Sequence, residues 1–433
     1  MPQQKNSFPY RASSTDSGVT ACIMCIRKGA FLALLLNSLL GAAALANTVT
    51  AASCSQSDVQ AAINSASSGD TVSVPGGSCT WSSTVSISSS HQITLSGGGT
   101  TTITWGGGYL SIVAGTSNNT RVTGFTFNGS YTNGDCPIGI ITSSSPLSLA
   151  FRFDHNTLDG GNPSAPATFA CVQQDGPGLF DHNSFTTHRG ADEMIHLLGN
   201  GAGNTTGWTD SVPPGGANMI YIEDNSFKCT NATVGSSALQ SYYGARTVAR
   251  NNTLTNAGID QHGGGGVGAR WWEFYGNTFT AGDNICIRAG SGVIWGNSGT
   301  GSVRMLQEGG TYPANYQVGR GQNENLTPAY VWNNGGTAIL LNTTTGCAVG
   351  EANMVQFQRD VYADSGNGLT SGTLASMPSS CSTNTAYWAT DRNTLYKCTS
   401  NTWTAYYAPY PYPHPLTLGT SLVPPSNLQA TPH

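Results

Sequence analysis

The sequence predicts an all-β fold: a right-handed parallel β-helix with a short N-terminal capping helix and a small C-terminal β cap. Short apolar segments recur along the chain, each built around one asparagine, and bends rich in glycine separate them. Within each segment apolar and polar residues alternate, which is the pattern of a β-strand with one buried side. The segments span 151–158, 179–185, 221–227, 248–254, 273–279 and 293–297, and an earlier copy at 122–128 begins the series.

The asparagine of each segment sets the period of the repeat. Successive asparagines are 27, 42, 27, 25 and 20 residues apart, and the long interval indicates a loop inserted at 199–216. Intervals of this size are typical of solenoids, in which each repeat forms one coil. Asparagine tolerates turn conformations, and its amide can pair with the next asparagine in a stack. We therefore predict an asparagine ladder formed by Asn156, Asn183, Asn225, Asn252, Asn277 and Asn297, with Asn128 before them.

The register of the repeat separates inward from outward side chains. The residue three places before each asparagine is apolar, and so is the residue two places after it, so both are predicted to fill the interior. The first set is Phe153, Phe180, Ile222, Ala249, Phe274 and Ile294, and the second is Leu158, Phe185, Phe227, Leu254 and Phe279. Outward side chains of successive coils should stack about 4.8 Å apart.

The ends of the chain differ from the repeats. Residues 1–46 have the features of an export signal, because Arg27 and Lys28 precede the apolar run 30–40 and small residues follow at 44–46. We predict that this region is removed and that the protein is secreted or held at the cell surface. The apolar run is too short to span a membrane.

Four further regions are predicted after the signal. Ser57 and Gln60 are expected to cap a short helix that closes the N-terminal end of the solenoid. The aromatic region near the C-terminus is predicted to cover the last coil, and the alternative is an aromatic platform for sugar rings. The regions are 47–100 for the N-terminal cap and first coils, 101–345 for the β-helix, 346–416 for the C-terminal cap with its aromatic disulfide hairpin, and 417–433 for a linker or tail.

Composition limits the class of partner. Charged residues make up 9% of the chain and the net charge is −5, and the sequence contains no basic cluster. This argues against nucleic acid, whose binding depends on neutralising phosphates.

Export permits disulfides, and Cys54–Cys79 and Cys381–Cys398 are the expected local pairs. The odd number of cysteines that follow the signal leaves at least one thiol unpaired, and the oligomeric state stays open.

Over residues 54–335 the chain resembles the right-handed parallel β-helix proteins of the pectate-lyase-like superfamily. The repeats carry this resemblance together with the opening segment 58–76. It implies an extracellular polysaccharide as partner and, for many members, a lyase reaction. The polygalacturonase-like hydrolase pattern is not reproduced, because Asn284 stands where that pattern has its second aspartate, and the glycine-rich segment after His262 comes before it in the chain.

One outward column contains three carboxylates, Asp154, Asp181 and Glu223, from successive coils. Stacked carboxylates repel one another by about 1 kcal/mol per neighbouring pair in water. Either neighbouring arginines and histidines, such as Arg152 and Arg250, or a bound Ca²⁺ would compensate them. The alternative is that these residues only solvate the surface and stabilise turns.

A second outward set follows the next strand of each coil and combines imidazole, phenol, guanidinium and amide groups. A groove lined in this way suits an acidic polysaccharide, because cations and amides stabilise the uronate carboxylate while His or Tyr transfers protons. The predicted catalytic residues are His196, Tyr242, His262 and Arg288. The predicted substrate-binding residues are Gln173, Gln240, Arg246, Arg270, Trp271 and Trp272.

Two functions therefore stay open. The first is a secreted polysaccharide lyase that cleaves a uronate-containing polymer by β-elimination. The second is a non-catalytic extracellular β-helix that binds glycans, mediates adhesion or builds a structural layer.

Overall fold

The computed structural model describes residues 46–418 apart from short internal gaps. The gaps are 115–119, 130–135, 143–149, 162–167, 174–175, 191–192, 200–205, 264–266, 282, 309–316, 344–346, 348–349 and 352–353. The predicted signal region, except for its last residue, and the tail from 419 onward lie outside the described residues. In the part of the chain that is described, no helix is long and apolar enough to cross a membrane.

As predicted, the described strands wind into a parallel β-helix, and this β-helix has three faces. One 18-stranded sheet folds over to form two of the faces, and a 10-stranded sheet forms the third. Strands of consecutive coils pair in parallel along each face. Each coil is a strand on face 1, a strand on face 2 and a strand on face 3, in that order, followed by a return to face 1.

Near the N-terminus, two long strands run across the corner and belong to both face 1 and face 2. Face 1 consists of Thr48–Thr50, Thr71–Ser73, the first parts of Thr94–Trp105 and Thr120–Asn128, Phe151–Asp154, Gly178–Asp181, Ile220–Glu223, Arg246–Arg250, Trp271–Tyr275, Ser291–Trp295, Ala329–Trp332 and Val361–Ala363. Face 2 consists of Gly77–Trp81, the second parts of the two long strands, Thr157–Asp159, Ser184–Thr187, Ser226–Cys229, Thr253–Thr255 and Thr278–Phe279.

Face 3 carries or adjoins the predicted catalytic residues. Its strands are Val85–Ile87, Leu110–Val113, Ile138–Ile141, Ala170–Gln173, Glu193–Leu197, Ser236–Ser241, Ala257–Gln261, Ile285–Ile287, Ser302–Met305 and Ala338–Leu341. Gln307–Glu308, directly after the face-3 strand Ser302–Met305, forms a short antiparallel pair with Gly350–Glu351. The remaining short elements are the helical turns Thr206–Thr209, Gln322–Glu324, Leu374–Ser376 and Pro415–Leu418.

The asparagine ladder is present at the corner between faces 1 and 2. Each ladder asparagine donates from its backbone N–H and from its side-chain amide to the Oδ1 of the next one, at 2.9–3.2 Å. The ladder runs from Asn156 to Asn334, one coil beyond the predicted end. Asn128 is not part of it, because the register pairs Asn128 with Asp159, and Phe125 N–H instead donates to Asn156.

Both predicted inward sets fill the interior. Phe153, Phe180 and Phe274 of face 1 are fully buried, and so are their partners in that set. On face 2, the rings of Phe185 and Phe227 stack with their centroids 4.8 Å apart. Because both sets lie in one continuous apolar cluster, the alternation read from the sequence describes the packing of the core directly.

The N-terminal helix, Gln56–Ser65, buries Val59, Ala62 and Ile63 against the first coils. The predicted cap was two residues too late: the helix is capped by Ser55, whose hydroxyl accepts from Asp58 N–H at 3.3 Å. Gln60 has a different role. Its Oε1 accepts from the backbone N–H of Ser86 at 2.7 Å, which ties the helix to the solenoid.

The C-terminal module packs along the outer side of face 1. Its four-stranded sheet consists of Leu369–Gly372, Ala386–Ala389, Thr394–Thr399 and Thr402–Tyr407. The first two strands pair in parallel, and the other neighbouring strands pair antiparallel. Trp388 inserts between face-1 residues, with ring centroids 5.1 Å from Trp295 and 5.0 Å from Trp332. Since Tyr387, Trp388 and Tyr407 are buried, these aromatics form an internal packing surface and do not present a platform to sugar rings.

Four disulfides join described cysteines. They are Cys54–Cys79, Cys136–Cys171, Cys286–Cys347 and Cys381–Cys398, so both predicted local pairs are confirmed. Cys229 is the remaining thiol among the described residues and is buried. A set of disulfides of this kind is consistent with an oxidising compartment.

Candidate functional site

The outer side of face 3 brings four predicted catalytic residues together on one surface. Parallel register aligns His196 with Gln240, and Gln240 with Asp260. Two residues further along, Tyr242 and His262 directly follow their strands and continue the same outward side. Arg288 holds the same place one coil later, where its N–H donates to Gln261 O at 2.9 Å.

Three aromatic rings form the middle of this surface. The phenol ring of Tyr242 lies between two imidazoles, 4.8 Å from His196 edge to face and 4.3 Å from His262 in a stacked arrangement. The histidine side chains are 21% and 20% exposed, so the rings remain within reach of a ligand. We refer to His196, Tyr242, His262 and Arg288 as the face-3 row.

A network of hydrogen bonds fixes the face-3 row. Tyr242 donates its hydroxyl proton to Gln240 Oε1, and Gln240 Nε2 donates to Asp260 Oδ2 at 2.8 Å. Arg288 donates to both Asp260 oxygens at 3.2 and 2.5 Å, and its Nη1 lies 3.1 Å from Glu308. Tyr242 is thus held by a residue of its own coil, and Arg288 is held by carboxylates from the preceding coil and from a neighbouring loop.

Each histidine of the row lies against a carboxylate. His196 Nε2 is 2.9 Å from Glu193, and His262 Nδ1 is 3.2 Å from Glu308. A carboxylate beside one ring nitrogen favours the tautomer that carries its proton there, and leaves the other nitrogen with its lone pair. For His262 that nitrogen is Nε2. This is the arrangement of a general base oriented by a third group.

Burial sets the protonation of the central phenol and of its neighbouring carboxyl. Burial, together with the charges of Glu193 and Asp260, raises the pKa of Tyr242 far above its ordinary value. Tyr242 is therefore a neutral proton donor. Burial also raises the pKa of Asp260, although the Arg288 charge opposes the change. The row thus places a protonated phenol beside an imidazole, two kinds of group that transfer protons in general acid–base catalysis.

A polar depression of about 200 Å³ lies elsewhere on face 3 and is lined in part by Asp260, the carboxylate that Arg288 binds. Ser236, Ser237, Asp283 and Asn284 also line it. Hydroxyl, amide and carboxylate groups in this density suit hydrogen bonds to sugar hydroxyls.

Not every predicted substrate-binding residue belongs to the row. Gln173 is exposed at the end of its strand on face 3, two coils before Tyr242. Arg246 and Arg270 lie past the corner leading to face 1 and are only 6% and 3% exposed. The predicted sugar-stacking role of Trp271 and Trp272 is wrong for this structure, because both indoles are buried.

The two tryptophans are buried for different reasons. Trp272 points into the solenoid and donates to Ala289 O at 3.1 Å. Trp271 points outward from face 1 but lies beneath the C-terminal module, where it donates to Glu273 at 2.9 Å. Two consecutive strand residues face opposite sides, so at most one of them was able to reach a ligand.

The predicted calcium ligands form a column on face 1 and are already neutralised by arginines. Arg121 donates to Asp154 at 2.7 and 2.5 Å, and Arg152 donates to Asp181 at 2.9 and 2.7 Å. In the same way, Arg250 Nε donates to Glu223 at 2.6 Å. Two histidines add to these arginine pairs, because His155 lies 2.7 Å from Asp154 and His182 lies 2.9 Å from Asp181.

The column also lacks access to solvent. Asp154, Asp181 and Glu223 are completely buried, and the segment 408–418 lies over the Glu223 end of the column. His414 N–H from this segment donates to Glu223 at 2.9 Å, and Arg250 donates to Tyr410 O and Pro411 O at 2.7 and 2.9 Å. The Glu223 end of the column therefore anchors the C-terminal segment. Toward its other end, Asp154, Asp181 and the exposed His155 place ligand atoms within 4.8 Å of one another, a spacing that could hold a metal ion.

The carboxylates of the face-3 network were not predicted from the sequence. Asp260 could have been predicted, because it is two residues before His262 and therefore points to the same side of the strand. Glu193 was harder to predict, because it is three residues before His196 and strand alternation does not place the two on the same side. Glu308 could not have been predicted, because it arrives from a short pair outside the repeat.

Comparison with known proteins adds little to this picture. No protein-family model matches the sequence and no curated protein matches it. The PL6 family alginate lyase AlyGC is 13% identical with a TM-score of 0.41, over 85% of this chain and 57% of that chain. An alginate lyase from Paenibacillus sp. str. FPU-7 is 15% identical with a TM-score of 0.31, over 70% of this chain and 98% of that chain.

This chain thus spans 57% of the length of the first of these structures. Likenesses this distant carry no argument about activity. Any assignment of function depends instead on the side chains of the face-3 row.

Proposed function

We propose that this protein is a secreted polysaccharide lyase that cleaves a uronate-containing polymer by β-elimination. The observation that carries the proposal is the position of Tyr242 between His196 and His262 on the outer side of face 3. The half-buried, neutral Tyr242 phenol and the His262 imidazole, which Glu308 orients, are an acid and a base whose rings lie 4.3 Å apart. Membership of the pectate-lyase-like superfamily and export through the N-terminal signal belong to the same proposal.

The reaction assigns one proton transfer to each group. His262 Nε2 takes the proton from C5 of the uronate, and the electrons of that C–H bond form the C4–C5 double bond. The C4–O4 bond breaks, its electron pair stays on O4, and the Tyr242 hydroxyl protonates that oxygen. The proton on His262 then returns to Tyr242, either directly or through solvent. General acid–base catalysis of this kind contributes about 10²–10⁴-fold in rate.

The remaining residues of the network keep this pair in place. Gln240 accepts from Tyr242 and so directs its hydroxyl. Glu308 orients His262. Arg288 holds Asp260 and Glu308 together, which makes it a positioning residue, since its own charge is shared by two carboxylates.

A panel of uronate polymers tests the proposal. Incubation with pectate, alginate and glycosaminoglycans, each with and without a chelator, should produce unsaturated ends that absorb in the ultraviolet for at least one of them. Loss of activity with chelator would assign a role to Ca²⁺ in substrate binding.

The Tyr242→Phe variant sharpens this test, because it removes only the hydroxyl. We expect kcat to fall by about 10²–10⁴-fold while the melting temperature stays close to that of the wild type. Tyr109→Phe is the matched control, because Tyr109 is 45% exposed on a distant coil, and its activity should be unchanged. Equal activity of Tyr242→Phe and wild type would rule out Tyr242 as the acid.

A second function is favoured by the charges around the row. Glu193, Asp260 and Glu308 outnumber Arg288, and such a surface suits hydrogen bonds to the hydroxyls of a glycan that is bound without being cleaved. If no polymer yields unsaturated ends while one binds to the protein and Tyr242→Phe weakens that binding, the protein is a glycan-binding β-helix.

A further inference from the structure

Two buried arginines lie side by side beyond the corner that follows the face-3 row. Arg246 begins its strand on face 1, and its register partner on the next coil is Trp271, the residue directly after Arg270. Arg270 N–H donates to Ala245 O at 3.0 Å, so the two arginine backbones belong to adjacent coils. The Arg270 guanidinium carbon lies 5.6 Å from the centre of the Trp208 ring.

These two arginines are not compensated like the other buried arginines. Arg246 donates one hydrogen bond to Asp210, at 2.9 Å, and the Asp210 side chain is 49% exposed. Arg246 Nε and the Nε and Nη1 of Arg270 are buried and have no hydrogen-bond partner among the described residues. By contrast, Arg152 and Arg250 each donate to a fully buried carboxylate.

The electrostatics of the pair are accordingly unfavourable without a further anion. Burial and the charge of Arg246 lower the pKa of Arg270 to about 10. Two like charges with one half-exposed carboxylate leave an excess of positive charge, and each orphaned buried donor destabilises the fold. An oxyanion would correct both defects, because guanidinium donors match the two oxygens of a carboxylate.

We propose that Arg246 and Arg270 bind the carboxylate of a uronate in the polysaccharide chain that crosses the face-3 row. The identity of the ligand as a uronate rests on the proposed function, whereas the need for an anion does not. The face-3 row pairs its own cation, Arg288, with Asp260 and Glu308. The arginine pair therefore supplies the positive charge that a polyuronate requires and that the row does not provide.

A continuous set of ring contacts connects the two places. The rings of Tyr242 and Tyr243 are 5.6 Å apart. Tyr243 packs against the small cluster that contains Trp208, and the buried Trp208 ring in turn holds the Arg270 guanidinium by a cation–π contact. The row and the arginine pair are therefore neighbours in the fold, and the half-exposed Asp210 marks the place where the pair meets the surface.

The test compares a free uronic acid with its neutral counterpart. Galacturonate and mannuronate, but not galactose or mannose at the same concentration, should raise the melting temperature of the wild-type protein and release or absorb heat on titration. Acetate, sulfate and chloride are run in parallel. A response to sulfate or chloride equal to the response to uronate overturns the assignment to a uronate.

Arg270→Met is the decisive variant, because methionine keeps much of the side-chain volume and removes the charge and the orphaned donors. We expect it to raise the melting temperature without ligand and to lower uronate affinity about 10- to 100-fold. Arg121→Met is the control: Arg121 is paired with Asp154 on a distant coil, so its loss should lower the melting temperature and leave uronate binding intact. A purely structural Arg270 would behave like Arg121, which would refute the proposal.

The outcomes separate this proposal from the proposed function. If no polymer is cleaved while uronate still binds to the wild type and not to Arg270→Met, the lyase function fails and the carboxylate site stands. If polymers are cleaved and Arg270→Met binds uronate as well as the wild type does, the carboxylate site fails and the lyase function stands.

Discussion

Face 1 and face 3 of this solenoid both present a line of ionisable side chains from successive coils on their outer sides. The two lines differ in how far they are exposed to solvent. On face 1 the carboxylates Asp154, Asp181 and Glu223 are fully buried and each is paired with an arginine, and the C-terminal segment covers Glu223. On face 3 the histidines of the row stay about one-fifth exposed.

The difference shows that stacking alone does not make a site. A parallel β-helix places identical positions above one another wherever the sequence repeats, so charged columns arise on any face. Function requires in addition that the column stays uncovered and that its groups are oriented without being fully neutralised. The face-1 column meets neither requirement, and we assign it to stability.

Breaking the face-1 column should have the largest effect on stability. Arg250→Met removes the partner of Glu223 and leaves that carboxylate buried without its cation. Removing one member of a buried ion pair typically costs about 3–5 kcal/mol. Chemical unfolding of the variant should show a loss of this size, and a loss below about 1 kcal/mol would mean that the column is not a stabilising element.

A smaller loss is expected from the asparagine ladder, which borders face 1 at its corner with face 2. Asn252→Ala leaves Asn225 N–H and Ile222 O without their buried side-chain partners, which should lower the free energy of unfolding by about 1–3 kcal/mol. Asn128→Ala is the control, because Asn128 lies outside the ladder, and it should change stability by about 0.5 kcal/mol or less. Equal losses for both would contradict the ladder's role.

The pH dependence of the covered region should be the smallest effect, because two buried groups oppose each other there. Burial lowers the pKa of His414 to about 3, so stability is lost as pH falls below the ordinary value of 6.5. Burial raises the pKa of Glu273 to about 7, so its contribution is present below 4.5 and is lost as pH rises to 7. Single variants separate the two.

Relative to the wild type, His414→Gln should therefore gain stability as the pH is lowered from 6.5 to 5, by about 1–2 kcal/mol. Glu273→Gln should gain as the pH is raised from 4.5 to 7. Unfolding measured across this range checks both slopes, and a flat difference for either variant would show that the group titrates normally in the folded state.

The sequence was sufficient for the solenoid because the repeat is strictly local. The inward positions around each asparagine, such as Phe180 and Ile222, were predicted from alternation alone, and the structure buries them. The row on face 3 was predicted only to within two residues: Tyr242, His262 and Arg288 each directly follow their strand, whereas His196 lies within its strand, two residues earlier in register. Local pattern is enough where structure repeats.

What the sequence did not show depends on contacts between distant segments. The covering of face 1 brings residues near 410 onto Glu223 and Arg250, and no repeat encodes this. It is also why Trp271 looked available to a ligand. Glu308 reaches the row from outside the repeat for the same reason, and the orphaned donors of Arg246 and Arg270 appear only once the burial of each guanidinium is known.

The central claim is that face 3 carries the activity and the face-1 column carries stability. Its most direct test is to measure activity and stability together in Tyr242→Phe and Arg250→Met, at a temperature at which both variants are folded. We predict that Tyr242→Phe loses turnover of its uronate polymer and keeps its free energy of unfolding, while Arg250→Met loses stability and keeps turnover per folded molecule. If both variants lose both properties in parallel, the separate roles of face 3 and face 1 are wrong.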